Sequence, residues 1–253
     1  MPDQPDQPDQ PDSPRPRRPI VRPAFDAAVQ PWVAANEGLK AVPPQALAVD
    51  ELRRVLQHPR GLPAQLPLNG DTRYAGREGA PVLAAVLVPL VMREPGVTVM
   101  LTQRTAHLHD HAGQISFPGG RIEESDASPI AAALREAQEE TGLAPEWVDV
   151  LGTMPPYMTA TGFSITPVVS LVRPGFDVVP DPFEVAEIFE VPLAFIMDPA
   201  NHRLHSVELP DGRVRRYYSM PWGKYFIWGA TAAMLRNLYH VLCDPNARDT
   251  APE

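Results

Sequence analysis

A chain of 253 residues holds one large domain or at most two, and its 44% apolar content supplies a sizeable core, which excludes wholesale disorder. With 31 acidic against 22 basic side chains the net charge is -9, unlike that of proteins that coat nucleic acid by neutralising phosphates with lysine and arginine. The lone Cys243 closes no internal disulfide, the first twenty residues carry no apolar leader, and no apolar run is long enough to span a bilayer. The expectation is therefore a cytoplasmic protein with no membrane and no nucleic-acid partner.

Residues 1–23 hold eight of the 32 prolines, repeat Pro-Asp-Gln three times and then turn basic at Arg15, Arg17 and Arg18; with little to bury they read as a disordered proline-rich tail. Residues 24–76 read as a helical extension. Its clearest helix runs from Ala46 to Gln57, with Leu47, Leu52, Val55 and Leu56 on one face, Asp50 and Glu51 early and Arg53 and Arg54 late, as the helix dipole favours. Pro59, Pro63 and Pro67 end it.

The main domain is read from residue 77 to residue 245, before a flexible C-terminus at 246–253. Val82–Met92 and Val97–Thr102 read as strands around the turn Arg93-Glu94-Pro95-Gly96. Val97, Val99 and Leu101 alternate with Thr98, Met100 and Thr102, the pattern of a strand buried on one face. A corner at Pro118-Gly119-Gly120 leads into a helix, strands follow at Val148–Thr153 and Ile165–Val172, and a last helix spans Ile227–Leu242, with Trp228 and Cys243 read as packing residues. Strands before and after a central helix make an α+β domain.

The segment from Gly119 to Leu143 carries the chemistry. Ser128 before Pro129 is an N-cap signal and Gly142 a stop, so about thirteen residues are helical at 3.6 per turn. Ile130, Ala133, Leu134 and Ala137 form the stripe expected to face the core, and Glu136, Glu139 and Glu140 crowd a neighbouring face. Like charges at this spacing repel. Arg135 neutralises one of them, and a divalent cation such as magnesium, which prefers carboxylate oxygens and bridges to phosphates, suits the cluster better. His107, His109 and His111 alternate, but without cysteine and outside zinc spacing they do not read as a zinc site.

Arg135-Glu136-Ala137-Gln138-Glu139-Glu140-Thr141-Gly142-Leu143 resembles the second half of the Nudix hydrolase signature, G-x5-E-x7-R-E-U-x-E-E-x-G-U, with Ala137 at the first aliphatic position. The first half departs from it: Gly120 to Arg135 is one residue longer, and Asp126 stands where the first glutamate would fall. Upstream, Leu101, Thr102, Arg104, Gly113 and Phe117-Pro118-Gly119-Gly120 resemble the pattern of the coenzyme A pyrophosphatase branch, with Met100, Thr105 and His109 replacing its first leucine, its small residue and its second arginine. The resemblance covers residues 80 to 242.

The resemblance implies a Nudix fold, a mixed β-sheet sandwiched between helices. It implies hydrolysis of the diphosphate of coenzyme A or its thioesters to 3',5'-ADP and 4'-phosphopantetheine, with Mg2+ or Mn2+ as cofactor. Glu136, Glu140 and Glu139 are the implied metal ligands, and Glu139 or Glu184 the general base. Arg135 orients a glutamate, and Arg104, His109, Gly113, Phe117, Gly119 and Gly120 meet the substrate. A small molecule is the implied partner, and a homodimer is compatible with it. Two alternatives stay open: hydrolysis of another conjugate such as ADP-ribose or a dinucleotide, and a catalytically silent nucleotide-binding module.

Overall fold

A computed structural model describes residues 25–57, 68, 70–74, 79–106, 113–209 and 212–243. The proline-rich tail, Pro59, Pro63, Pro67, the start of the main domain at 77, the three alternating histidines and residues 246–253 lie outside the described residues.

Two sheets organise the chain. The larger is built on β2 (Val82–Val91), an apolar strand flanked by β3 (Thr98–Arg104) and, in parallel, β8 (Phe163–Val172). β4 (Ile115–Ser116) and β9 (Val185–Pro192) pair with β3, β5 (Gly119–Arg121) with the start of β2, and β6 (Val148–Thr153) and β7 (Tyr157–Met158) with β8. A short helix, α3 (Leu193–Ile196), follows β9. The smaller sheet runs in the order β1 (Trp32–Ala34), β10 (Arg203–Glu208), β11 (Val214–Trp222), β12 (Tyr225–Trp228), antiparallel throughout.

Helices cover both faces of the large sheet. On one face α2 (Pro129–Thr141) packs Ala132, Ala133 and Ala137 against Ala85, Leu87, Met100, Val168 and Val172. On the other, α4 (Ala230–Cys243) and α1 (Val49–Leu56) share one core cluster with Val86, Val88, Leu90, Val99, Leu101 and Val169. Burial of both faces explains a departure from the sequence reading of β3: Met100 and Thr102, expected on an exposed face, are as buried as Val99 and Leu101. The strand is central, so its alternation separates two cores rather than core from solvent.

The N-terminal extension contains the expected helix with Leu52, Val55 and Leu56 buried, but also β1, which completes the small sheet. The last helix starts later than expected. Ile227 and Trp228 end β12, and Gly229, at φ 65°, turns the chain into α4. A left-handed φ of this kind favours glycine, whose missing Cβ removes the steric penalty. Among the described residues no helix is long and apolar enough to cross a membrane.

Candidate active site

Helix α2 is fixed at both ends as its sequence dictates. The Ser128 hydroxyl accepts from the Ala131 N–H at 3.2 Å, Pro129 opens the first turn, and Gly142, at φ 73°, ends the helix. The buried face is rotated from the expected stripe. Ala132, Ala133, Ala137, Glu140 and Thr141 are buried, whereas Ile130 and Leu134 are only partly so. Glu140, 6% exposed, is thus a core-side residue, because the β5 backbone offers it a donor: its Oε2 accepts from the Gly119 N–H at 3.1 Å.

The two glycines of the Pro118-Gly119-Gly120 corner are required by close approach. A Cβ on Gly119 would lie 2.4 Å from the Ala85 carbonyl oxygen, and one on Gly120 would lie 2.5 Å from the Glu136 carboxylate. Strand β5 therefore runs against β2 on one side and against the Glu136 carboxylate on the other. Phe117, expected to meet a ligand, is 2% exposed and packs in the core on the α4 face. Its ring anchors the corner from below instead of lining the site.

Arg135 is the hub of the acidic cluster. Its Nε and Nη2 grip the two oxygens of Asp126 at 3.0 and 2.9 Å, Nη1 reaches Glu136 and Glu139, each at 3.0 Å, and Nη2 also donates to the Arg121 carbonyl. Asp126, read only as a departure from the signature, thus holds the arginine that holds the glutamates. The Arg135 hydrogen bonds keep its carboxyl below the ordinary carboxylate range. Nothing in the residue spacing revealed this pairing, since the loop from Glu123 to Asp126 must fold back to make it.

Glu184 arrives from another element. The Thr105 hydroxyl donates to the Phe183 carbonyl and its N–H to the Glu184 carbonyl, joining the end of β3 to the turn before β9. The same turn is bound to α2: Val179 N–H donates to the Thr141 carbonyl and Asp181 N–H to the Glu140 carbonyl. Arg104 Nη1 then stands 3.7 Å from a carboxylate oxygen of Glu140 and 3.7 Å from one of Glu184. Both separations exceed a hydrogen bond, so the guanidinium keeps donors for another anion. Gly113, at φ 68°, returns the chain after β3, its N–H donating to the Arg104 carbonyl. His109 lies outside the described residues.

Electrostatics mark the pair Glu136 and Glu140. Burial pushes Glu140 up to about 8, an effect that the Gly119 N–H and Arg104 oppose and that Glu184 and Glu136 reinforce. Burial also raises Glu136, against the pull of Arg135 and with the charges of Glu139 and Glu184 adding to it. Two carboxylates that charge reluctantly are suited to a divalent cation, which restores their charge. Glu139 is placed differently: its side chain is 58% exposed and shares Arg135 with Glu136. Among the described residues no three Asp, Glu, His or Cys side chains gather around one point, so the three glutamates do not form a closed shell. Two carboxylates suffice for magnesium, which keeps several waters and takes substrate phosphates as its remaining ligands.

A mixed sheet between helices, with this arginine and glutamate helix beside a glycine corner, defines a Nudix domain, and the family profile described as "NUDIX domain" matches residues 81–209. The chain belongs to the Nudix family and is a Nudix hydrolase. It is 47% identical to "Uncharacterized Nudix hydrolase NudL" of Cronobacter sakazakii over 157 residues, 61% of this chain and 80% of that one. It is 46% identical to the protein of the same name from Citrobacter koseri, with the same coverage. Among solved structures it is similar to the Nudix hydrolase RenU from M. smegmatis, at 21% identity and a TM-score of 0.46, over 69% of this chain and 91% of that one.

Proposed function

We propose that the protein is a metal-dependent pyrophosphohydrolase that cleaves the diphosphate of coenzyme A or its thioesters to 3',5'-ADP and 4'-phosphopantetheine or its acyl form. The observation that carries this reading is Arg104, the always-charged residue of the coenzyme A branch pattern, standing 3.7 Å from both Glu140 and Glu184. A guanidinium at that point binds a phosphate oxygen where the carboxylates of two elements meet.

Each residue then has a task. Glu136 and Glu140 would hold Mg2+ or Mn2+, and Arg135, fixed by Asp126, sets the rotamer of Glu136. When bound, such a cation neutralises phosphate oxygens and lowers the pKa of water. In this reading Glu184, rather than Glu139, is the general base; that its charge acts on both Glu136 and Glu140 supports the choice. Glu139 is held by Arg135 and serves to position it. Water adds to one phosphorus as Glu184 takes its proton, the bridging P–O bond breaks, and the leaving phosphate carries off the electron pair.

The test is a substrate panel of coenzyme A, acetyl-coenzyme A, ADP-ribose, NADH and diadenosine polyphosphates, with magnesium or manganese and products resolved by mass. Coenzyme A and its thioester should be cleaved fastest, giving 3',5'-ADP. Faster turnover of ADP-ribose would overturn the specificity, and no turnover of any substrate would favour a silent module.

A further inference from the structure

On the α4 side of the large sheet, away from the glutamates of α2, a cavity of about 770 Å³ opens between residues 70–74, β7, the β10–β11 hairpin and the first turns of α4. Tyr157 and Ala233, which line it, belong to the α4-side core, whereas Glu136 and Glu140 stand on α2. Its walls are tied down. The Asp71 and Tyr74 N–H groups donate to the carbonyls of Met158 at 2.7 Å and Ala160 at 2.9 Å, and the Asn237 side chain of α4 bonds both the N–H and the carbonyl of Leu68. The volume is that of a preformed small-molecule site.

The charge here is unlike that of the chain. Arg213, Arg215 and Arg216 line the cavity against one carboxylate among the described residues, Asp71, which is already engaged as acceptor for the Tyr157 hydroxyl at 2.7 Å. In a chain of net charge -9, a cleft with this excess of arginine concentrates anions.

Arg215 is the group prepared to meet one. Its guanidinium lies 5.5 Å from the Phe25 ring centroid and 5.4 Å from that of Tyr74, and Nη1 donates to the Tyr74 hydroxyl. Phe25 in turn packs on Tyr217 and Trp228, so the side chain is held in place by rings. The Nε–H is buried without an acceptor, and the side chain pairs with no carboxylate among the described residues. Buried donors are nearly always paired, so a fixed, unanswered N–H beside a cavity marks the place of a ligand atom. The edge that carries Nε–H and Nη2–H is the one that a carboxylate or phosphate grips with two oxygens, and it is Nη1 that Tyr74 occupies. Arg216, next along β11, points to the other face of that strand and does not share the task. Leu68, Leu204, Leu209 and Val214 make the rest of the wall apolar.

We propose that Arg215 anchors a second ligand site, separate from the catalytic corner, for an organic oxyanion: a carboxylate or phosphate monoester carried on an apolar body. Two oxygens accept from Nε–H and Nη2–H, and the body lies along the leucines and Val214. The site does not depend on the coenzyme A reading, because it lies on the other face of the sheet from Glu136 and Glu140.

The test is calorimetric titration of the full chain, without divalent metal, with phenyl phosphate, benzoate and the uncharged benzamide. At least one of the anions should bind about tenfold or more tightly than benzamide, the effect of a charge-assisted hydrogen bond, and the tighter of the two identifies the headgroup. Arg215→Gln should lose that preference and Arg215→Lys recover part of it, while Glu140→Gln binds as the unmodified chain does. Turnover of the best substrate of the panel should keep its kcat and KM in Arg215→Gln. If that variant does not fold, the Arg215 Nε–H resonance of the unmodified chain, assigned by its loss in Arg215→Lys, gives the answer: it should shift with the anion and stay with benzamide. No binding of either anion, equal binding of benzamide, a preference that both Arg215 variants keep, an unmoved Nε–H resonance or loss of binding in Glu140→Gln overturns the proposal. Failure of coenzyme A in the substrate panel changes none of these outcomes, so the two readings fail separately.

Discussion

The two faces of the large sheet are packed for different ends. Under α2 the contacts are small: Ala132, Ala133 and Ala137 lie on Ala85 and its neighbours, so helix and sheet come close enough for Gly119 to donate to Glu140 and Gly120 to touch Glu136. On the α4 side the cluster is built of large residues, Leu235, Leu238 and Tyr239 together with Leu90, Val99, Leu101 and Phe189. Bulk stabilises the fold on one side, while on the other the absence of bulk brings charged groups to backbone. The carboxylate cluster sits on the thin side because a carboxylate can be both buried and met by a donor only where the backbone is near.

The comparison can be broken most sharply at Glu140. Glu140→Gln keeps the acceptor for the Gly119 N–H but removes the charge, so turnover should fall about 10³-fold or more while the thermal midpoint holds. Undiminished activity in a steady-state assay would sink the metal assignment. Next comes Gly120→Ala, whose Cβ would stand 2.5 Å from the Glu136 carboxylate. That side chain must swing away, and kcat should drop about 10²-fold with little loss of stability by denaturant titration.

A paired test separates the faces. Leu235→Ala, on the thick side, should cost about 2–5 kcal/mol in urea unfolding with kcat preserved. Ala133→Leu, on the thin side, should cost about 1–3 kcal/mol and also lower kcat, because α2 is pushed off the sheet. Equal effects of the two on kcat would erase the distinction.

The smallest effect concerns His202, fully buried beside α4. Its Nδ1 accepts from Arg236 at 2.6 Å and its Nε2–H donates to the Ile196 carbonyl at 2.7 Å, which requires the neutral ring. Burial and Arg236 lower its pKa to about 4, against an ordinary 6.5. The unfolded chain therefore binds this proton first, and stability present above pH 6.5 is lost as pH falls through 4, up to about 3 kcal/mol. Unfolding midpoints measured across that range should fall, and the slope should flatten in His202→Gln.

Local signals were legible where one element carries them alone. The caps Ser128 and Gly142 and the apolar runs of β2 and β8 stand in the residues themselves, and so does the Arg135 to Leu143 pattern. What escaped depends on partners distant in sequence. Glu140 is buried because β5 supplies its donor, Phe117 is a core residue because α4 covers it, and Asp126 matters because a loop folds it onto Arg135. The small sheet was missed because its strands mix Arg203, His205, Arg215 and Tyr217 into runs with no apolar period, and His205 and Tyr217 are buried in a group of rings with Phe25, Phe226 and Trp228.

Asp181 and Val179 donate to the last carbonyls of α2, the groups that a helix end leaves without internal partners. The turn that carries Glu184 is thereby latched to the helix that carries Glu140, although more than forty residues of chain separate the two glutamates. The intervening strands β6, β7 and β8 can lengthen or drift without changing the gap across the site. A one-residue insertion within α2, by contrast, would turn its last residues by about 100° and drag the latch with them. The spacing of Glu140 and Glu184 is thus insulated from most of the chain and exposed to a single helix.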